Sequence, residues 1–424
     1  MHIFFSGIGG VGLGPLAEIA HDAGYTVSGS DIASSPMTEQ LGSRGISVTI
    51  GQEGSQIAAV HAATPIDWLV YSSAITAGHP ELAFAVEHGI KATKRDELLA
   101  AIIQEKNLKL IAVAGTHGKT TTTGMLVWAF HCLGKPLSYS VGTALSFAPS
   151  GRYDAKSQYF VYECDEYDRN FLSFRPFLSL ITALDYDHPD TYSTPEDYMS
   201  AFANFMSRSS HNLIWEKDYQ KIPALGPGVS CEIFDSAAVD LSAFELAGTH
   251  VRQDAFLVHQ TINKLFPDID QTTVAQAINT FPGTARRFEK LADNLYSDYG
   301  HHPAEIAATL ELTREISDHV VLVYQPHQNL RQHQLREEYT DQFELAEEIY
   351  WLPTYLSRED STLPILTPED LTRNLTHPAS LHLAQLDDEL WNSIQAARAN
   401  NKLVIVMGAG DIDAWARQKL ADTK

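Results

Sequence analysis

The sequence predicts an α/β fold built from three domains, and three observations carry that prediction. Twice, at residues 2–22 and 110–130, an apolar run leads into a glycine turn and then into a helical pattern. Further apolar runs at 159–162, 177–184, 320–324 and 403–407 end in polar or acidic residues, as strands do at the carboxyl edge of an open α/β sheet. A polar stretch at 104–107 and the turn Phe281-Pro282-Gly283 divide the chain into residues 1–106, 107–282 and 283–424.

Composition sets the bounds. A chain of 424 residues buries a large core and suits more than one domain. No apolar run approaches the roughly 18 residues of a membrane span. The start MHIFFSGIGG has no basic region and enters a glycine motif directly, so a cytoplasmic protein without a signal peptide is expected. Cys132, Cys164 and Cys231 are odd in number and lack C-x-x-C spacing, which fits a reducing compartment better than disulfides or zinc. Net charge is −23, from 30 basic and 53 acidic side chains. Nucleic-acid binding needs clustered Lys and Arg, so the charge argues against that partner, and no membrane is expected either. Anionic small molecules are not excluded, because backbone amides and a few cations can hold them.

In the first domain Gly7-x-Gly9-x-x-Gly12, with Gly10 inside it, follows a strand and precedes a helix. That is the context of a dinucleotide fingerprint, and it indicates a nucleotide diphosphate without selecting nicotinamide. Asp31 lies 19 residues beyond Gly12, at the end of the second strand, where a carboxylate can accept from a nucleotide. The run WLVYSSA ends in Ser72 and Ser73 at a carboxyl edge, and Arg95 opens a later helix.

The second domain begins with LIAVAGTHGKTTTTG, residues 110–124. Gly115-x-x-Gly118-Lys119-Thr120 is a shortened phosphate loop; the full pattern wants a glycine where Val113 stands. A tight turn feeding a helix N-terminus makes an anion cradle. Lys119 can reach terminal phosphates of ATP, and the Thr120 hydroxyl can take a place on Mg²⁺. Glu163-Cys164-Asp165-Glu166-Tyr167-Asp168 and Asp185-Tyr186-Asp187-His188 close two later strands. Each alone also suits a solvated loop; beside a phosphate loop they suggest carboxylate and imidazole turned toward Mg²⁺. In the third domain, polar residues gather at strand ends in Asp298-Tyr299-Gly300-His301-His302-Pro303, Gln325-Pro326-His327 and Gly408-Ala409-Gly410-Asp411.

GIGGVG, AGTHGKTTTT, ECDEYD, DYDH, FPGTARRFE, DYGHHPAEI, QPH and MGAGDI occur in the order and spacing of the Mur ligases, a resemblance that covers essentially the whole chain. It implies a Rossmann-like first domain gripping a UDP-sugar, a central phosphate-loop ATPase domain, and a Rossmann-like C-terminal domain closing over ATP and an amino acid. The implied reaction is ATP- and Mg²⁺-dependent joining of L-alanine to the lactyl carboxylate of UDP-N-acetylmuramate, through an acyl phosphate, in peptidoglycan precursor synthesis. The first fingerprint then holds UDP through Gly7, Gly9, Gly10, Gly12, Asp31, Ser72, Ser73 and Arg95. ATP falls to Gly115, Thr116, His117, Gly118, Lys119, Thr120, Thr121, His250 and Arg287. Thr120, Glu163 and His188 take the metal, with Lys119, Glu163, His188 and Arg287 as the catalytic set. Asp298, His301 and His302 line the amino-acid pocket, although two histidines beside Pro303 also suit a helix cap.

The chain departs from the family pattern in places. Cys164 stands for an alanine, Ala183 for an asparagine, Val251 and Asp254 for the two asparagines of the adenine motif, and Gln328 for an arginine, with a later arginine matching Arg331. No lysine occurs from 157 to 216, so the carbamylated lysine of several relatives is absent, with Phe202 in its register. Three other readings follow: a recycling ligase adding a preformed tripeptide, a nucleotide-sensing pseudoenzyme, and an NAD-dependent dehydrogenase. The last leaves the phosphate loop unexplained.

Overall fold

The computed structural model describes every residue of the chain except Ser73, Ala74, Ala77, Arg358, Asp360, Ser361, Pro378, Ala379, Thr423 and Lys424. Its strands form three sheets. The first holds β1 (His2–Ser6), β2 (Thr26–Asp31), β3 (Ser47–Ile50), β4 (Trp68–Tyr71) and β5 (Lys91–Thr93), in the order β3-β2-β1-β4-β5, with every pair parallel. A parallel strand covered on both faces needs an unbroken apolar run, and Ile3, Phe4 and Phe5 supply it, all fully buried. Strand order reverses between β1 and β4, which leaves a crevice at their carboxyl ends.

The second sheet holds β6 (Lys109–Ala114), β7 (Ser138–Ser140), β8 (Gly151–Arg152), β9 (Tyr159–Glu163), β10 (Leu178–Ile181), β11 (Asn212–Trp215) and β12 (Cys231–Phe234). Their order is β12-β11-β10-β6-β9-β7-β8, and only β7 and β8 run antiparallel. The strand expected at 177–184 is shorter, ending at Ile181. Residues beyond it leave the ladder to wrap the glycine turn: the Thr116 amide donates to Ala183 O at 2.7 Å, and Thr182 N to Ala114 O at 3.0 Å. Both sheets belong to one compact unit, Met1–Asp185 with Pro195–Val239 and Thr261–Ile278. Within it Lys94 pairs with Asp168 at 2.5 Å, and the Tyr162 hydroxyl donates to Asp96 at 2.7 Å.

A second unit comprises Tyr186–Thr194, Asp240–Gln260 and Asn279–Lys424. Its sheet holds β13 (Glu289–Ala292), β14 (Leu295–Asp298), β15 (Val320–Tyr324), β16 (Glu348–Trp351), β17 (Leu381–Leu383) and β18 (Leu403–Met407), in the order β13-β14-β18-β15-β16-β17. All pairs but β13/β14 are parallel, so Asp298, Gln325 and Gly408 follow or end their strands at one edge. The fold is thus α/β with three largely parallel, Rossmann-like sheets. No described helix is long and apolar enough to cross a membrane.

β15 is buried along its whole length, and Leu322 packs between Val320, Tyr324 and Ile405 in one apolar cluster. Leu322→Ala should cost about 2–5 kcal/mol of the second unit's stability, read from urea denaturation. A loss below about 1 kcal/mol would mean that this core collapses around the cavity.

Candidate active site

The phosphate loop forms where an apolar strand meets two glycines. β6 ends at Ala114; Gly115 has φ +141°, and a Cβ there would lie 2.3 Å from Thr182 Oγ1. Gly118, at φ +82°, is the residue from which the helix Lys119–Cys132 starts. Neither position admits a side chain without strain. Lys119 folds back over the turn, its Nζ donating to Gly115 O at 2.5 Å and Thr116 O at 3.1 Å, and pairing with Glu166 at 2.9 Å. Burial works against its charge, but Glu166 and Asp165 outweigh that and hold its pKa above the usual lysine value. The Thr120 hydroxyl donates to Glu163 Oε1 at 2.7 Å, while Glu163 Oε2 accepts the Gly142 amide at 2.9 Å. Thr121 is half-buried one position further along the helix.

Thr116 and His117 tie the loop to the end of β10. Thr116 Oγ1 donates to Asp185 O at 2.7 Å and lies 2.8 Å from the Tyr198 hydroxyl, which is 3.3 Å from Glu166. His117 Nε2 stands 3.4 Å from Asp185, and Lys221 stands 3.2 Å from the same carboxylate. Burial alone would raise the Asp185 pKa, but His117 and Lys221 draw it well below the carboxylate range. Glu166, Tyr198 and Lys221 were not singled out by sequence. Tyr198 sits on an apolar helix face, Lys221 lies in a stretch without a motif, and only the acid cluster at 163–168 pointed toward Glu166.

At the first glycine turn, the amides of Gly7 and Ile8 both donate to Ser30 O at 2.9 Å, and Gly10 N donates to Gly7 O at 3.1 Å. Asp31 closes the turn: its Oδ2 accepts the Gly9 amide at 2.7 Å and its Oδ1 the Ile32 amide at 2.8 Å. Arg95 fills the space beside Gly12: a Cβ there would lie 2.7 Å from its Nη1, so a side chain would push the guanidinium aside. Arg95 thus covers this turn, with Nη2 3.9 Å from Asp165. The Ser72 amide donates to Ser6 O at 3.3 Å; Ser73 lies outside the described residues. Behind the turn, fully buried Glu81 accepts from the Ser6 hydroxyl and, at 2.8 Å, from Ser30. Burial pushes its carboxyl pKa up.

In the second unit, His188 adopts φ +55°, its amide donating to Asp187 Oδ1 at 2.7 Å. Asp187 is buried against Arg331, whose Nε is 2.9 Å away. Burial opposes its charge, yet Arg331 and the nearby histidines draw its pKa far below normal. His302 is the N-cap of the helix Pro303–Ile316: its Nδ1 accepts the Ala304 amide at 3.2 Å, so Nε2 carries the proton and donates to Tyr186 O at 3.3 Å. His301 Nδ1 lies 3.1 Å from Tyr299 O, and a carbonyl only accepts, so that nitrogen carries the hydrogen. Burial, with Arg331 adding, pushes the His301 pKa down to about 3. Asp298 accepts the amides of Phe288 at 2.8 Å and Gly300 at 2.7 Å, and burial raises its pKa. Arg287 Nη1 lies 3.3 Å from Glu305, the acid of the same helix cap. His250 lies in the first turn of the helix Thr249–Leu265, where Arg252 and the Gly248 amide bind Glu315 and lower its pKa to about 2.

A phosphate loop on the central strand of one α/β sheet, beside a second glycine turn on another, defines a nucleotide-handling enzyme. Residues 2–107 match the catalytic-domain model of the Mur ligase family, and residues 113–225 match the Mur ligase middle-domain model. A UDP-N-acetylmuramate–L-alanine ligase of Chlorobium phaeovibrioides is 30% identical, over 97% of this chain and 95% of its own. One of Agathobacter rectalis is also 30% identical, over 97% of this chain and 96% of its own. The crystal structure of the UDP-N-acetylmuramate-alanine ligase of Thermotoga maritima superposes with a TM-score of 0.75 at 23% identity, covering 100% of both chains. The murein peptide ligase of Psychrobacter arcticus gives 0.63 at 23% identity, covering 99% of this chain and 98% of that one. The chain belongs to the Mur ligase family.

Two predictions follow from the geometry. Glu166→Ala leaves Lys119 buried without its counter-charge and should cost about 3–5 kcal/mol. Nucleotide phosphates can replace the lost charge, so ATP should raise the melting temperature more in the variant than in the parent; an equal rise would separate Lys119 from the phosphates. The second concerns acid. The unfolded chain protonates His301 near its ordinary pKa of about 6.5, but the folded one only near about 3. This group's contribution is therefore whole above about pH 6.5 and is lost as pH falls from there toward about 3. Urea titrations across that range should show a shallower acid slope in His301→Asn; an unchanged slope would place the proton uptake elsewhere.

Proposed function

We propose that the protein is an ATP-dependent ligase joining the amine of L-alanine to the lactyl carboxylate of UDP-N-acetylmuramate, a cytoplasmic step of peptidoglycan precursor synthesis. The Lys119–Glu166 phosphate loop, in a chain of this family, is the observation that carries the reading. Residues 1–106 serve the UDP-sugar, 107–282 serve ATP, and 283–424 supply Arg287 and the amino-acid pocket.

A carboxylate is a poor electrophile and must first be activated. Its oxygen attacks the γ-phosphorus of ATP, ADP leaves, and an acyl phosphate results. The alanine amine, after losing a proton from its ammonium form, attacks the acyl carbon; the C–O bond to phosphate breaks and an amide forms. Phosphoryl transfer asks chiefly for positioning and charge neutralisation. Lys119 meets the terminal phosphates by exchanging Glu166 for them. The Thr120 hydroxyl and Glu163 carboxylate, 2.7 Å apart, are oxygen donors of the kind that suit Mg²⁺. They would hold it, with His188 as a further ligand, and the ion would neutralise phosphate charge when bound. Arg287 would face the transferring phosphoryl group, and His250 the adenine. Asp298, His301 and His302 remain the amino-acid-pocket residues of this reading, with His301 neutral near pH 7.

The UDP diphosphate is assigned to the first glycine turn. Among the described residues the amides of Val11 and Gly12 meet no protein acceptor, and Arg95 stands over Gly12. Gly7, Gly9 and Gly10 shape the turn through their own bonds, Asp31 braces it, and Ser72 lies beside Gly7; Ser73 is assigned to the same diphosphate.

The test is phosphate release from ATP in the presence of UDP-N-acetylmuramate and a panel of amines. L-Alanine should give turnover and a preformed tripeptide none. Lys119→Ala should abolish turnover yet keep UDP-N-acetylmuramate affinity in calorimetry. Tripeptide-only turnover would make the protein a recycling ligase, and loss of UDP-sugar affinity in the variant would undo the two-site assignment.

A further inference from the structure

Two motifs that the reaction leaves without a role meet in the second unit. Arg286 precedes the proposed phosphate-facing Arg287, and Gly408-Ala409-Gly410 follows β18, 122 residues later at Gly408. Arg286 Nη2 donates to Gly408 O at 3.0 Å and lies 3.5 Å from Gly410 O. The guanidinium carbon stands 4.6 Å from the Tyr299 ring centroid, and Nε stands 3.7 Å from Asp413. The receiving turn has to be glycine. A Cβ on Gly408, at φ +152°, would lie 2.7 Å from Gln325 O, and one on Gly410 would lie 2.4 Å from Gln325 Oε1.

The turn that carries these arginines is strained. Arg286 has φ +59° and Phe288 has φ +47°, so two residues with large side chains flank Arg287 in the left-handed region. Such backbone persists only where its surroundings over-determine it. Here they do: Arg286 N donates to Glu289 at 2.7 Å, Arg286 O accepts Tyr299 N at 2.8 Å, and Phe288 N donates to Asp298 at 2.8 Å. The Phe288 ring stacks on Tyr296 with centroids 4.5 Å apart. These contacts lie on β13, on β14 and at Tyr299 just beyond it. The Arg286 side chain ties the turn to the end of β18, a strand buried along its whole length.

We propose that Arg286 is a positioning residue: by gripping the carbonyls of Gly408 and Gly410 it fixes the strained turn that presents Arg287. The proposal rests on the reading of Arg287 as the phosphate-facing group. Lysine cannot reproduce the grip, because an ammonium has no planar group that lies over the Tyr299 ring with one nitrogen on the two carbonyls and another toward Asp413.

The experiment is steady-state kinetics and thermal melting of Arg286→Ala, Arg286→Lys, Arg287→Ala and the double alanine variant, each with ATP, UDP-N-acetylmuramate and L-alanine. Arg286→Ala should lower kcat about 10- to 100-fold, the usual cost of a misplaced group. The KM for UDP-N-acetylmuramate should stay within about twofold, because that site is elsewhere. Arg286→Lys should fall between, and it stands in if the alanine variant does not fold. Adding Arg286→Ala to Arg287→Ala should lower kcat no further, since one acts through the other. A further, multiplicative drop in the double variant, or full kcat in both Arg286 variants while Arg287→Ala is impaired, would overturn the proposal. Full kcat in Arg287→Ala would overturn the reading of Arg287 itself.

Discussion

Glu166 is fully buried, and its carboxylate has a cation in contact, with Lys119 2.9 Å away. Removing two charges from water costs several kcal/mol per ion even after relaxation, so the pair survives only with further hydrogen bonds around it. Those bonds organise the loop. Lys119 takes the carbonyls of Gly115 and Thr116, Tyr198 stands between Glu166 and Thr116, and Thr116 fixes the backbone at Asp185. The two glycines make the turn tight enough for Lys119 to reach back across it, and the pair in turn holds the acid-rich end of β9 against the loop. Sequence, turn geometry and charge placement are here one constraint.

The same pairing recurs at other cations within each unit. Lys94 meets Asp168, Arg95 faces Asp165, and in the second unit Arg331 meets Asp187 and Arg287 meets Glu305. A chain of net charge −23 thus presents cationic side chains that are already balanced from within. On the proposed reading an anionic substrate would bind by exchanging partners with these acids, and the free energy of each contact would be a difference between two ion pairs. Local amides do the rest, which is how a strongly acidic protein handles nucleotides that carry its own sign of charge.

What the sequence made legible was local. Glycine after an apolar run marks a strand–turn–helix because steric exclusion acts over a few residues, so the α/β class and both glycine turns could be read from spacing. The partners of those turns could not. Asp31 was read as a ligand carboxylate, and it accepts the Gly9 amide, a contact set by how β2 ends beside β1. Tyr198 shares an apolar helix face with Phe202 and Phe205, and nothing in that period reveals that its hydroxyl reaches Thr116. The sequence suits His302 to a pocket or a cap; its bond to Ala304 N shows that it caps the helix, and its bond to Tyr186 O is one no spacing reveals. Arg286 and Gly408 are joined across more than a hundred residues by strand order alone.

Backbone strain separates ordinary turns from anchored ones. Asn107, Asn294 and Asn401 take positive φ at a helix end, a hairpin and another helix end. Asparagine tolerates that region through its short side chain, and no further account is needed. Asp168, Arg169, His188, Arg286, Phe288 and Gln328 also take positive φ, and all follow the carboxyl ends of strands or flank Arg287. For these larger side chains the conformation costs free energy that something must offset. The offsets are specific: Lys94 on Asp168, Asp197 on Arg169, Asp187 on the His188 amide, Asp298 on the Phe288 amide, and Tyr355 O on the Gln328 amide. In each case a polar partner within the same unit, next in the chain for His188 and distant for the others, restrains a backbone that would otherwise relax. A loop built this way loses little freedom when a ligand arrives, because the ordering has already been done by folding.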